Sequence, residues 1–467
     1  MKTTSPFQLF VSIFLCIFSF LFSPLQAKDS SEEEIVVQLA TEVPLLPMCV
    51  GPFQNDASEF SSDYLQSLRS ILIFDLNYNG ATKVITSQKS DALKALSKEE
   101  EFQATCSFDK WKDAHVFYLV KLKMHEKNLS AKVISMNGKS TKLIEGLSFC
   151  GDLSKDRRKI HQLADSIMEL LFQRQGCAQD HILFTVRRKI PSSDASAPDW
   201  TSEIYEADID GANCKKVASD GAAYLVTPAF LNKEGKGSLL FFVSYKIGQP
   251  KIYFASLQGG KFQRLTSLRG NQLTPAITKD GKQIAFASDT TGKSDLFLMP
   301  FQPETLSSGK PRQIFAAKGA AQASPTFSPE GEQIAFASNK DGSPKIYVMD
   351  IPKIGTKLKD IHPKLISKRC KENSSPAWSP DGKKIAFSAK SQGPRQIWIY
   401  DFETGEERQL TQGKGDKENP AWAKDSLHLL FNSTVKDTTE LYLINLNQRE
   451  AIKIPTVEGE KRFPLWK

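Results

Sequence analysis

Residues 324–350 read Ser324-Pro-Thr-Phe-Ser-Pro-Glu-Gly-Glu-Gln-Ile-Ala-Phe-Ala-Ser-Asn-Lys-Asp-Gly-Ser-Pro-Lys-Ile-Tyr-Val-Met-Asp350, and this stretch decides the fold. Thr326-Phe327 is a short apolar segment, and Ser328-Pro329-Glu330-Gly331 is a turn with proline second and glycine fourth. Residues 334–338 form a β-rich run. The turn formers Asn, Asp, Gly and Pro fill 339–344, and a further strand pattern covers 345–350. Polar and glycine-bearing residues then leave room for a fourth strand before the next proline. Four short antiparallel strands of this kind make one propeller blade.

The unit is copied along the chain. Pro228-Ala229-Phe230, Pro275-Ala276-Ile277, Pro325-Thr326-Phe327, Pro376-Ala377-Trp378, Pro420-Ala421-Trp422 and Pro464-Leu465-Trp466 repeat at intervals of 47, 50, 51, 44 and 44 residues. A period of that size means a supersecondary unit that buries its apolar face only by stacking on its neighbours. Six pairs of middle strands are also visible, from 182–186 with 203–207 to 428–432 with 440–444. The two lists are out of phase: the first pair lacks a proline strand before it, and Pro464-Leu465-Trp466 has nothing after it. A circular arrangement repairs both faults and removes the exposed edges of an open array. The expected architecture is therefore a six-bladed all-β propeller, residues 178–467, closed by the C-terminal strand. Its Ser-Pro-Asp/Glu-Gly segments read as hairpin turns, since they lack the Thr-Trp ending of a sialidase-type Asp box.

Residues 35–177 do not share the repeat and read as an α/β domain. Ile35-Val36-Val37 starts a strand, and Pro47 to Phe53 resembles a second buried one. Tyr64, Leu65, Leu68, Ile71 and Leu72 fall at helical spacing, with Ser62 or Asp63 as cap. Residues 114–122 and 129–135 suggest a hairpin. Ile160, Leu163, Ala164, Ile167, Leu170 and Leu171 form one helix face, with Gly176 as its expected end.

Lys2, an apolar run to Phe22 and Ala27 together form the pattern of a secretory signal peptide over residues 1–27. An acidic, flexible stretch, 28–34, follows. Without the leader, 60 basic residues face 53 acidic ones, a net charge of +7. With no dense Lys/Arg block and no interleaved aromatics, nucleic acid is not an expected partner. Cys49, Cys106, Cys150, Cys177, Cys214 and Cys370 remain. Export permits disulfides, and six cysteines allow fifteen connectivities. Cys150 and Cys177 bracket the predicted helix and are the favoured pair, while buried free thiols stand as the alternative.

At this point the chain resembles the TolB family, the soluble periplasmic components of the Tol-Pal system of Gram-negative bacteria. The likeness rests on the leader, the Ile-Val-Val strand and Val50-Gly51-Pro52-Phe53. It extends to His181-Ile-Leu-Phe-Thr-Val, to repeats such as Ser375-Pro-Ala-Trp-Ser-Pro-Asp-Gly, and to Arg462-Phe-Pro-Leu-Trp466. The resemblance implies a monomeric, non-enzymatic periplasmic scaffold without cofactor or metal. It would bind a Pal-like outer-membrane lipoprotein through the propeller and a TolA-like inner-membrane protein through the N-terminal region. The implied role is outer-membrane integrity and cell division. The family's lipoprotein surface is the face where chain segments enter the proline strands. By position this implies Asn271, Thr274 and Ala323, and by repeat symmetry Asn373, Ser374, Glu418 and Asn419. Asn271 stands where family members can have histidine, and Thr274 where they can have alanine. The acidic start at 28–34 departs from the family's short partner-binding extension.

Catalytic motifs are sparse. Gly-x-Ser-x-Gly is missing, and His125-Glu126 has no second histidine four residues on. Gly413-Lys414-Gly415 lacks the strand–helix context of a phosphate loop. Two alternatives stay open: a propeller binding a small ligand, glycan or metal such as Ca²⁺ in its channel, and a hydrolase whose site is assembled without a motif.

Overall fold

The computed structural model describes residues 43–189, 200–219, 225–232, 237–257, 259, 261–448 and 450–467. The leader, the acidic stretch and the 35–37 strand lie outside the described residues.

A mixed five-stranded sheet of order β2-β1-β3-β4-β5 forms the N-terminal layer. Its strands are β1 (Leu46–Asp56), β2 (Thr82–Val84), β3 (Tyr118–His125), β4 (Asn128–Ser135) and β5 (Ser140–Ser148). Helices Ser62–Asn77 and Leu153–Phe172, here α1 and α2, pack on this sheet through Leu68, Leu72, Ile160, Leu163 and Ile167. The N-cap of α1 is Ser61, whose hydroxyl accepts from the Tyr64 N–H, one residue earlier than the sequence suggests. α2 ends at Gln173, which takes the left-handed conformation (φ 54°), rather than at Gly176. Gly176 is small for another reason: a Cβ there would sit 2.0 Å from an Asp165 carboxylate oxygen.

The expected disulfide is not formed. All six cysteines among the described residues are free thiols. The 20-residue α2 lies between Cys150 and Cys177, and a helix of that length spans about 30 Å, which keeps the pair apart.

Six antiparallel sheets follow, blades I to VI. Blade I is built from His181–Lys189, Trp200–Asp208 and Lys215–Ala218, and its fourth, innermost strand is Glu460–Trp466. Glu460 pairs with Arg187 and Trp466 with Ile182, so the ring closes as the phase of the repeats predicts. The innermost strands of blades II to VI are Leu225–Leu231, Gln272–Ile277, Gln322–Phe327, Glu372–Trp378 and Asp416–Trp422. Each touches the next around the ring.

The propeller core is divided into six wedges, one between each adjacent pair of blades. Leu183 and Ile204 meet Leu240 and Phe242 between I and II. Phe241 and Ile252 meet Phe286 and Met299 between II and III. Three more such wedges join III to IV, IV to V and V to VI. The last, between VI and I, joins Leu430, Leu441 and Leu443 to Ile182, Phe184 and Trp466. The Trp466 indole N–H donates to the Ala421 carbonyl (3.0 Å), and Trp422 does the same to Ala377 (3.0 Å).

Every innermost strand carries the same irregularity. Thr227, Thr274, Ser324, Ser375, Asn419 and Phe463, each immediately before the repeat proline, have φ between 48° and 54°. That region is costly for residues with a Cβ, by about 1–2 kcal/mol each. The register shifts there, so that the pre-proline residue and the proline together oppose one residue of the next strand. That opposing residue is always phenylalanine: Phe242, Phe286, Phe336, Phe387, Phe431 and Phe184, all fully buried. Proline, which has no N–H, loses no ladder bond in the bulge. The phenylalanine stacks across to an aromatic on the third strand, as in Phe336–Tyr347 (6.0 Å) and Phe431–Tyr442 (5.6 Å).

Deleting residues 460–467 removes the partner of the blade I edge and the Trp466 side of the last wedge. The truncated chain is expected to melt about 10 °C or more below the parent and to lose solubility. Differential scanning calorimetry with a sedimentation assay checks this, and an unchanged melting curve would refute closure by this strand.

Candidate partner-binding face

The blade geometry gives the propeller two unlike faces. In each blade the start of the innermost strand lies beside the end of the second, as in Gln272 opposite Ser288 and Gln322 opposite Ser338. One face therefore collects the entries to the innermost strands. The other collects the turns after those strands and the loops between the third and fourth. The α/β domain sits on this second face. His428 Nε2 donates to the Tyr78 carbonyl (2.7 Å) and Asn447 Nδ2 to that of Gly80 (2.7 Å). Asn213 Nδ2 reaches the Ser154 carbonyl (3.0 Å), and Arg157 pairs with Asp210. A Cβ on Gly80 (φ 74°) would stand 2.4 Å from Leu427 Cδ2. The strand-entry face is not covered by this domain.

The seven sequence-predicted residues occupy this entry face, but at four levels along the strand. Thr274 and Asn419 are one residue before the proline, Ala323, Ser374 and Glu418 two before, Asn373 three before and Asn271 four before. Side chains alternate along a strand, so these levels point differently. The level three before the proline is the inward one: Leu225, Gln272, Gln322 and Asn373 are fully buried there, with Lys417 and Lys461 nearly so. Asn373 is therefore corrected from a surface residue to an internal one. Its Nδ2 holds the Cys370 carbonyl (3.1 Å). Asn271 is half-buried, and its amide side chain and backbone N–H both bond to Asp289 (2.7 and 2.6 Å), which anchors the blade III entry.

The level two before the proline opens to the mouth, and here the sequence reading missed half the ring. Leu273 and Ala323 line it on blades III and IV, and Ser374, Glu418 and Arg462 on blades V, VI and I, while Val226 at the same level of blade II is buried in the core between blades II and III. The signal that finds them is the constant offset from each repeat proline. One half of the ring is apolar and the other polar. Burial pushes the Glu418 carboxyl up, while Arg395 and Arg462 pull it back. Arg395 also pairs with Glu372 (2.7 Å) and Arg462 with Glu460 (3.3 Å).

The bulge level links neighbouring blades. Thr274 Oγ1 accepts from the Ser324 N–H (3.2 Å), and Ser375 Oγ donates to Asn419 Oδ1 (3.2 Å). Asn419 Nδ2 donates on to Asn432 (2.8 Å).

Buried and half-buried lysines brace the loops that lead into these strands. Lys251 donates to the Leu268 carbonyl (3.1 Å) and to Gly270, and Lys345 to the Cys370 carbonyl. Lys417 holds Gly413, Lys414 and Gly415 (3.3, 3.0 and 3.1 Å). Burial pushes the Lys251 and Lys417 amines down in pKa. Gly413-Lys414-Gly415 is thus a loop folded around an ammonium group. The rim is thus held in one arrangement by its own side chains.

This arrangement defines a class: a six-bladed propeller with an α/β domain on one face and, on the other, a strand-entry mouth that the described residues of that domain do not cover. Residues 168–467 match the model of the TolB beta propeller domain. The TolB homolog of Protochlamydia amoebophila strain UWE25 is 44% identical over 408 residues, 87% of this chain and 86% of its own length. That of Chlamydia felis strain Fe/C-56 is 35% identical over 416 residues, 88% and 86% of the two lengths. The chain belongs to the TolB family. The crystal structure of TolB from Acinetobacter baumannii has the same fold, with a TM-score of 0.69 at 21% identity over 91% of this chain and 97% of that one. Among the described residues no helix is long and apolar enough to cross a membrane.

Replacing Lys417 by Met orphans three loop carbonyls. The expected cost is about 2 kcal/mol of unfolding free energy, with faster amide exchange confined to residues 411–416. Denaturant titration and hydrogen-exchange mass spectrometry measure both, and exchange unchanged in that loop would remove the lysine from this role.

Proposed function

We propose that this chain is an exported, monomeric, non-enzymatic periplasmic scaffold of a Tol-Pal system. Its strand-entry mouth binds a Pal-like, peptidoglycan-associated lipoprotein, and its N-terminal region engages a TolA-like inner-membrane protein. Family membership supports the scaffold. The observation that carries the assignment of the face is the docking of the α/β domain on the opposite side, so that its described residues leave the braced mouth uncovered. The ring, apolar on one side and polar on the other, suits a folded protein partner better than a uniformly polar ligand. Thr274, Ala323, Ser374, Glu418 and Asn419 are the proposed contacts, with Asn271 fixing the loop beside them. The linkage supports outer-membrane integrity and cell division.

The test is a pulldown of a Pal-like lipoprotein from envelope extract by the mature protein and by an Ala323→Arg/Thr274→Arg variant. Recovery by the parent and loss by the folded variant is the expected result. Recovery by both would move the contact away from this mouth. Recovery by neither would overturn the scaffold reading and return attention to ligand binding in the channel. Deleting residues 28–34 without loss of TolA binding would show that the acidic stretch has no part in that contact.

A further inference from the structure

Where the propeller meets the segment leading out of α2, three side chains with good metal-binding atoms converge. Cys177 Sγ, His428 Nδ1 and an Asp425 carboxylate oxygen all lie within 4.8 Å of one another. His428 Nδ1 is 3.7 Å from the sulfur and 2.5 Å from Asp425 Oδ2. We infer that Cys177, His428 and Asp425 form a binding site for a Zn²⁺-class transition metal at the junction of the two domains.

Three independent features of the geometry support this. The first is the ring orientation of His428, whose side chain is 1% exposed. Its Nε2 donates to the Tyr78 carbonyl (2.7 Å), which fixes the proton on Nε2 and directs Nδ1 to the cluster. A backbone carbonyl on the far nitrogen is the usual outer partner of a metal-binding histidine. The second is Asp425. Its Oδ1 accepts from the N–H groups of Leu427 (2.9 Å) and His428 (3.1 Å), so the carboxylate is held with Oδ2 toward Nδ1. The third is spacing. With bonds of about 2.3 Å to sulfur and about 2.05 Å to nitrogen, tetrahedral geometry places the two donors about 3.6 Å apart. The observed 3.7 Å fits without movement of either residue. Oδ2 must retreat by about 0.8 Å to reach the corresponding nitrogen–oxygen separation. Its side chain is 21% exposed on a turn, so a rotation about the Oδ1 anchor has room on the solvent side.

The chemistry balances with two protons released to water: one from the Cys177 thiol, which binds as thiolate, and one from between His428 Nδ1 and Asp425 Oδ2, whose place the metal takes. A fourth position faces a cavity of about 520 Å³ that is also lined by Asp180 and Lys424, where water completes the shell. A second cluster among the described residues, His161 with Asp208 and Asp210, already has the Arg157 guanidinium against both carboxylates and offers no comparable place for a cation.

The site ties three parts of the chain together: the inter-domain segment through Cys177, blade VI through His428 and Asp425, and the α/β domain through Tyr78. Metal binding is therefore expected to raise the melting temperature of the whole protein.

The mature protein, stripped with a chelator, is titrated with Zn²⁺ against a chromophoric competitor and separately with Co²⁺. The expected result is saturation at one equivalent, a sulfur-to-cobalt charge-transfer band and a higher melting temperature. Cys177→Ser should abolish the band, and Asp425→Asn should weaken binding about tenfold or more. Cys150→Ser, which changes an exposed thiol elsewhere, should change neither. Asp425→Asn keeps the backbone-bonding oxygen and so tests the site even if Cys177→Ser misfolds. Failure to saturate at one equivalent, a band that survives Cys177→Ser, or a band lost in Cys150→Ser would overturn the site.

Discussion

The pairing of Glu460–Trp466 with His181–Lys189 is the constraint on which the rest of the molecule depends. It joins strands separated by almost 280 residues and turns a row of blades into a ring. It also completes the wedge between blades VI and I, where Trp466 packs beside Ile182, Phe184 and Leu430. Phe74 and Tyr78 of the α/β domain rest against that same wedge. The N-terminal domain thus rests partly on a wedge that closure completes. The hydrogen bond from His428 to Tyr78 stands on blade VI, whose flank toward blade I is covered in the closed ring.

Within each blade a second constraint acts at the residue before the proline. Six side chains of quite different character, from serine to phenylalanine, adopt the same left-handed backbone. No single residue preference accounts for that. What the six positions share is their surroundings: a proline after them that needs no ladder bond, and a fully buried phenylalanine across the bulge. The local cost is met by the packing of that phenylalanine against the third strand. The bulge also turns the strand, so that residues three before the proline face inward and those two before it face the mouth. Strand irregularity thereby sets the composition of the rim.

Much of this was legible in the sequence, for definite physical reasons. Proline and tryptophan at a regular interval mark the innermost strands, and the phase mismatch between the two strand lists predicts closure by Pro464-Leu465-Trp466. The left-handed residues were not legible, because Thr, Ser and Phe carry no signal for that conformation and only Asn419 does. For the same reason the candidate mouth residues were drawn from four levels of the strand, and Asn373 was placed outside when alternation puts it inside. Gly176 looked like a helix end because glycine is common there, but the close approach of Asp165 is what demands it. Cys150 and Cys177 looked paired because they flank one helix, and the length of that helix separates them.

The six wedges have a consequence for how the molecule is made. A blade gains its apolar partner only when the next one is synthesised, so blades II to VI acquire neighbours in order as the chain emerges. Blade I is the exception. Its strand from His181 to Lys189 has an unpaired edge, and its flank toward blade VI stays bare, until the last seven or eight residues are complete. The contacts that finish it have the greatest sequence separation in the ring and form last. During that interval the nascent protein offers a sticky edge at its first blade, and a helper that shields this one strand would protect the whole assembly.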